Sequence, residues 1–220
     1  MSTEETSFIA IAIDGPAGVG KSTTARLVAK KLGYTYIDTG AMYRAVAFYL
    51  IEKGVDLFNE SSVVHASKDV AVSLDVRQNV YVNGVDVTAK IRTQEVSEFA
   101  SVVASYAQIR FKLVNLQRSI AKIQNVVMDG RDIGTLVLPN ANLKIYLDAD
   151  VDIRAKRRFD ELLAKGLNPN FEEVKNETKV RDGRDISRKE SPLVQTSDAV
   201  LIDTGHKSIE EVVAEIVSLC

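Results

Sequence analysis

Gly15-Pro16-Ala17-Gly18-Val19-Gly20-Lys21-Ser22 fits the pattern G-x-x-x-x-G-K-[ST], and its reading decides the fold. Glycines let the backbone turn tightly and bring N–H groups close to an anion, where a Cβ would clash. Lys21 can reach the terminal phosphates of a nucleoside triphosphate, and the Ser22 hydroxyl suits Mg²⁺. The short apolar run Phe8 to Ile13 before it predicts a buried strand. Lys21 to Leu32 after it predicts a helix, with Ala25, Val28, Ala29 and Leu32 on one face and Gly33 as its stop. A helix N-terminus aimed at phosphate adds its dipole to the loop. A glycine-rich turn that binds nothing is the plainer alternative, and strand, loop and helix in that order argue against it.

Outward from this loop the chain alternates strand and helix, which predicts a mostly parallel sheet with helices on both faces. Tyr34 to Ile37 reads as a second strand, ending where Asp38 or Thr39 can cap a helix that runs to about Glu52 and stops at Gly54. Residues 58–111 change the rhythm. Val72 to Val76 and Val80 to Val82 alternate with period two, and Asn83-Gly84 is a hairpin signal before Val85 to Val87. This predicts a small antiparallel sheet inserted in the core, then a helical stretch from about Thr93 to Ile123. Further strands are expected at 126–128, 143–147 and 199–202, and a last helix from about Ser208 to Leu219. Between Val151 and Lys189 lies a charged helix–loop–helix, broken near Gly166-Leu167-Asn168-Pro169.

The chain has 220 residues, 45% hydrophobic and 26% charged, with net charge −2, which allows a sizeable core and argues against a general nucleic-acid binder. Cys220 is the only cysteine, so no disulfide framework exists. The acidic, polar start Met1 to Thr6 is unlike a signal peptide, and no apolar run reaches transmembrane length. A cytosolic protein is expected.

In open α/β sheets, ligands bind beyond the carboxyl ends of the strands. Those ends carry the phosphate loop, then Asp38, Thr39, Tyr43 and Arg44, then Asp129-Gly130-Arg131-Asp132, and then Asp148, which reads best as a helix cap. The charged segment adds Arg154, Arg157 and Arg158, and Arg181, Arg184 and Arg188. Helical spacing puts Arg181, either Arg184 or Asp185, and Arg188 on one face. A solvated face of weak ion pairs is the plainer alternative. Six arginines against Lys156 and Lys179 favour a phosphate-clamping lid, because guanidinium grips phosphate in bidentate fashion. His65 and His206 lie away from these strand ends, which leaves no general base there. A phosphate monoester acceptor needs none, since its second pKa of about 6 leaves the attacking oxygen ionised. The barrier is then charge repulsion, which arginines and Mg²⁺ relieve.

Together, Gly15 to Ser22, Asp38 to Arg44, Ile91 to Val96, Asp129 to Thr135 and Arg181 to Asp185 resemble bacterial cytidylate kinases over essentially the whole chain. The resemblance implies a P-loop NTPase fold with a five-stranded parallel core, a monophosphate-binding insertion and a mobile lid, and the transfer of a phosphoryl group from ATP to CMP or dCMP. By resemblance, the donor is held from Gly15 through Thr23 (Pro16, Ala17, Gly18, Val19, Gly20, Lys21 and Ser22 between them), with Arg157 and Arg158. Lys21, Arg131, Arg184 and Arg188 serve catalysis. Arg44, Arg131 and Arg188 hold the acceptor phosphate, with Tyr43 beside them; Arg181 and Asp185 hold the sugar. Thr39, Ser101, Arg110 and Asp132 surround the base. Mg²⁺ takes Ser22 as ligand and Asp129 through water. An ionised Asp132 accepts from the cytosine amine and Arg110 donates to N3 or O2, whereas uracil presents the reverse pattern.

Ser101 and Arg110 are nine residues apart, two and a half turns of helix and hence opposite faces. If both touch one base, the helix must break between them, and Ser105-Tyr106-Ala107 is where it can. One kinase domain is expected, with core segments 7–57, 112–156 and 190–220, insertion 58–111 and lid 157–189. It is expected to be a monomer that binds neither nucleic acid nor membrane. The competing readings are another small-molecule kinase, on a different nucleotide or an alcohol such as shikimate, and a GTP switch, which an N-K-x-D motif would mark and this chain lacks.

Overall fold

The computed structural model describes residues 8–75 and 77–220, so the readings made for Met1 to Thr6, Ser7 and Val76 lie outside it. In chain order the elements are β1 (Ala10–Asp14), α1 (Lys21–Leu32), β2 (Thr35–Asp38), α2 (Thr39–Glu52), α3 (Glu60–Ala66), β3 (Val72–Leu74), β4 (Val80–Val82) and β5 (Val85–Asp86). There follow α4 (Gln94–Val103), α5 (Ala107–Ala121), β6 (Val126–Asp129), β7 (Leu143–Asp148), α6 (Val151–Ala164), α7 (Phe171–Ser187), β8 (Val200–Asp203) and α8 (Ile209–Ser218). A π-helical turn, Ile133–Val137, follows β6. Residues 8–36 with 119–220 form one compact unit, and Ile37–Arg118 another.

The first unit is built on the sheet of order β2–β6–β1–β7–β8. β1 lies in its middle, parallel to both neighbours, with Ile11 opposite Val127 on one side and Leu143 on the other. Its unbroken apolar run suits a strand covered on both faces. Ile11 and Ile13 on one face and Ala12 on the other are all buried. At about 1.5–3 kcal/mol for each fully buried large aliphatic side chain, β1 is a main anchor of the core. Ala25 and Val28 of α1 and Val213 and Ile216 of α8 close over Ile11, Ile13, Ile145 and Ile202. α6 and α7 pack on each other, helped by an edge-to-face contact of Phe159 with Phe171.

In the second unit α2 packs on α4 and on the antiparallel sheet β3–β4–β5. Asn83 and Gly84 turn the β4–β5 hairpin with positive φ of 51° and 80°. The helical stretch expected over 93–123 is two helices, α4 and α5, interrupted at Ala104–Tyr106. The break overlaps Ser105-Tyr106-Ala107, the place where the sequence allows Ser101 and Arg110 to be turned to one side. α3 was not foreseen. It is seven residues long with only Val63 buried, so it carries little apolar periodicity.

Local chemistry starts the helices. Asp38, Asn59, Thr93, Asp150, Asn170 and Ser208 each accept a bond from a backbone N–H of the first turn. Asp148 is not a cap, contrary to the sequence expectation. It ends β7 and accepts from the next residue, Ala149, at 2.9 Å, while Asp150 caps α6. α1 starts on Gly20 with no side-chain cap, which leaves its first N–H groups turned to the loop.

Candidate active site

β1 delivers the chain to Gly15 at φ 145°, where a Cβ would stand 2.1 Å from the Leu147 carbonyl oxygen of β7. Only glycine fits so close an approach. The loop then rises over α1, with Pro16 and Val19 buried, Ala17 half-buried and Gly18 and Thr23 exposed. Lys21 is buried and donates from Nζ to the Pro16 carbonyl at 2.5 Å. Burial and then the nearby Arg131 guanidinium pull its pKa well below the ordinary lysine value, with Arg181 adding to the effect against Asp129 and Asp185. A charge held at such cost marks a place where an anion is wanted.

Ser22 Oγ donates to Asp129 Oδ2 at 2.8 Å, and the hydroxyl of Tyr36 donates to Asp129 Oδ1 at 2.9 Å. Asp129 ends β6, next to β1, which puts its carboxylate beside the start of α1. These are hard oxygen donors of the kind Mg²⁺ favours, few enough for phosphates and water to complete its shell.

Arg131 Nε donates to Asp185 Oδ2 at 2.7 Å, and Nη1 donates to its neighbour's carbonyl on Gly130 at 3.2 Å. Arg188 Nη1 lies 3.9 Å from the other oxygen of Asp185. Burial pushes the Asp185 carboxyl upward, but Arg131, Arg188 and Arg181 outweigh it and hold it below the usual carboxylate value. The face shared with Arg181 and Arg188 therefore carries Asp185, while Arg184 is exposed with no hydrogen bond or ion pair among the described residues.

The three arginines of α6 divide. Arg154, buried, donates to the Ala149 and Ala17 carbonyls at 2.9 and 3.1 Å and pairs with Asp182 at 2.5 Å, tying loop, α6 and α7 together. Arg157 donates to the Thr204 hydroxyl and carbonyl at 3.1 and 2.6 Å, and Thr204 in turn donates to Val19 O at 3.2 Å. Arg158 pairs with Glu161 at 3.2 Å on the surface and is not brought to the loop. Sequence reasoning listed Arg154 only as one more lid charge, and Asp182 and Tyr36 gave no signal.

In the second unit, Asp38 Oδ1 caps α2 at Ala41 N and Oδ2 accepts from Arg44 Nη2, both at 2.8 Å. Thr39 and Tyr43 are buried one turn apart. The Arg110 guanidinium sits 5.5 Å from the centre of the Tyr43 ring and donates to Ala104 O at 3.1 Å, a carbonyl exposed by the helix break. Tyr106 pins that break by donating to Leu57 O at 2.7 Å. Ser101 Oγ is buried with no hydrogen-bond partner among the described residues. A buried hydroxyl without a partner is costly unless a ligand supplies one.

The family model for cytidylate kinase matches residues 11–220. A cytidylate kinase of Bacillus licheniformis is 50% identical over 96% of this chain and 95% of its own length. One from Caldicellulosiruptor bescii is 48% identical over 96% and 95%, and one from Lactiplantibacillus plantarum 47% over 95% and 93%. Among solved structures, an uncharacterized protein of Eubacterium ventriosum aligns with TM-score 0.54 at 15% identity, over 96% of this chain and 97% of that one. A shikimate kinase of Bacteroides thetaiotaomicron aligns with TM-score 0.50 at 14% identity, with the same coverages. These two show likeness of fold alone.

Proposed function

Since the chain belongs to the cytidylate kinase family, we propose how its residues divide the transfer of the γ-phosphoryl group of ATP to CMP. The protein is a nucleoside monophosphate kinase, a phosphotransferase. The observation that carries the assignment is the buried Lys21 among Arg131 and Arg181, cations crowded at the mouth of a glycine cradle. Such a cluster stabilises phosphate oxygens more than water does, and does so without reorganising.

Gly15 to Thr23 bind the donor phosphates, and Lys21 leaves Pro16 O to reach them. Arg157 serves the donor from the lid 157–189, which closes over it and excludes water, and Arg158 is assigned the same task once closure takes it from Glu161. Arg131 and Arg188 hold the acceptor phosphate, and Arg44 of the second unit is assigned the same task with Tyr43 next to it. Arg184 acts on the transferring group when the lid closes. Arg181 and Asp185 take the sugar, of CMP or dCMP. Asp132 accepts from the cytosine amine; Arg110, Ser101 and Thr39 are assigned to the base as well. The unpartnered Ser101 hydroxyl and the break that turns Arg110 away from the α4 axis support those two assignments.

Ser22 would hold Mg²⁺ directly and Asp129 through water, which their 2.8 Å contact fits. When bound, the ion neutralises charge on the β- and γ-phosphate oxygens. The enzyme is proposed to act as a cytoplasmic monomer. No helix among the described residues is long and apolar enough to cross a membrane.

Turnover of CMP, dCMP, UMP and AMP measured side by side tests the reading. CMP is expected to exceed UMP in kcat/KM by about 10² or more, the scale at which a mismatched buried hydrogen-bond pattern discriminates. UMP used as well as CMP would defeat it.

A further inference from the structure

Asp14 is a buried carboxylate that none of the roles above uses. It is the last residue of β1, immediately before the phosphate loop, and is 5% exposed. Its two oxygens accept from backbone N–H groups far along the chain, Oδ1 from Ile133 at 2.9 Å and Oδ2 from Gly134 at 2.7 Å. These are the first two N–H groups of the π-helical turn Ile133–Val137. The residue at the N-cap of that turn is Asp132, and its side chain makes no capping bond. An aspartate in that position ordinarily turns back onto the N–H groups of its own first turn. Here those groups are taken by a carboxylate from the neighbouring strand.

The backbone keeps Asp132 in the turn all the same, because its carbonyl accepts from Leu136 N at 2.9 Å and Val137 N at 3.1 Å. Main chain and side chain of Asp132 thereby do different things: the carbonyl belongs to the turn, and the carboxylate does not cap it. The fit is close on every side. A Cβ at Gly134 would stand 3.4 Å from Asp14 Oδ2, in ordinary contact, and 3.2 Å from Lys144 Cδ, so the turn lies close against both side chains.

We propose that Asp14 is a positioning residue that caps the Ile133 turn in place of Asp132 and so keeps the Asp132 carboxylate from turning back onto that turn, away from the base it reads. The proposal rests on the base-reading role assigned to Asp132 above. Asp14 touches no substrate; it acts through the turn. It also ties base selection to the end of β1, the point from which the phosphate loop springs.

The test compares kcat/KM for CMP and UMP, and the affinity for ATP, in the wild type, Asp14→Asn, Asp132→Ala and the double variant. Asp14→Asn keeps the shape but leaves one acceptor and turns an amide N–H toward the second backbone N–H. Asp132 is then drawn back to cap its own turn. The CMP:UMP ratio is expected to fall about tenfold, the scale of one lost cap, with ATP affinity within about threefold. With Asp132 already replaced by alanine, Asp14→Asn should change the ratio no further. Equal losses on CMP and UMP, or a ratio that falls again in the alanine background, would overturn the proposal. An Asp132→Ala enzyme with the wild-type ratio would fail the base reading itself and remove the premise. Should Asp14→Asn not fold, Asp14→Glu keeps the charge but moves the oxygens by one methylene off the Ile133 and Gly134 N–H groups and is expected to shift the ratio the same way; an unchanged ratio there counts against the proposal.

Discussion

Arg131 and Asp185 meet at 2.7 Å through Nε and Oδ2, so the guanidinium assigned to the acceptor phosphate is already oriented by a carboxylate from α7. Nη1 is spent on Gly130 O, and Nη2 makes no hydrogen bond among the described residues. Two of its nitrogens are fixed, and the third is left to meet a ligand. Asp185 thus sets the direction in which the positive charge is offered.

Replacing Arg131 with alanine should lower kcat with CMP by roughly 10²–10³-fold, the usual cost of one donor aimed at developing charge. ATP affinity should move by no more than a few-fold, because the donor is assigned to the loop and Lys21 rather than to Arg131. Steady-state kinetics with a parallel titration of a non-hydrolysable ATP analogue separates the two. An equal loss in ATP binding would place Arg131 on the donor instead.

Tyr36→Phe removes a donor to the buried carboxylate of Asp129. Urea denaturation should show a loss of about 1–3 kcal/mol, the range for a buried acceptor left short of a partner. No measurable loss would mean that the Tyr36 hydroxyl contributes nothing to holding Asp129.

Asp14 makes stability depend on pH with a definite sign. Burial raises its pKa from the ordinary 3.8 to about 6, and the Asp132 charge adds to this, against the bonds from Gly134 and Ile133 and the charge of Lys21. Lys144 and Tyr146 of β7 also face this region. The folded state therefore holds the proton more tightly than the unfolded chain. This contribution is complete below the unfolded value and is lost as pH rises through about 6. At about 1.4 kcal/mol for each pH unit, the loss is about 3 kcal/mol. Asp14→Asn has no such proton, so its stability relative to the wild type should improve as pH is raised from about 4 to about 7. A difference independent of pH would show that Asp14 titrates normally.

How much of this was legible in the sequence follows from the range of each interaction. The bounds of α1 and the Ser208 cap with Glu211 were readable because loop, cap and helix are adjacent in the chain. The break before α5 was readable from a condition, that Ser101 and Arg110 both face one base, rather than from local propensity. What stayed hidden depends on partners far apart. Arg154 reaches Ala17 across 137 positions, Asp14 reaches Ile133 across 119, and Tyr36 reaches Asp129 across 93. Nothing in the neighbouring residues announces such pairs. The shift of the α6 cap from Asp148 to Asp150 is a smaller case: both are aspartates near a strand end, and only the length of β7 chooses between them.

The second unit holds a cavity of about 180 Å³ lined by Val46, Val70, Val72, Ile109, Leu113 and Leu116, with Ser67, Ala71 and Lys112 completing it. Val70→Ile adds one methylene beside that space. Thermal or urea unfolding should show a gain of about 0.5–1 kcal/mol, the worth of one newly buried methylene. A loss would mean that the cavity wall cannot admit the group without strain.

Guanidinium groups are proposed to meet the acceptor phosphate and screen it from the donor. The most direct test is a crystal structure with CMP bound. The phosphate is predicted to lie with nitrogens of Arg131 and Arg188 at hydrogen-bonding distance, about 3 Å. A cytosine nucleotide lodged with its phosphate beyond the reach of either guanidinium would contradict the account.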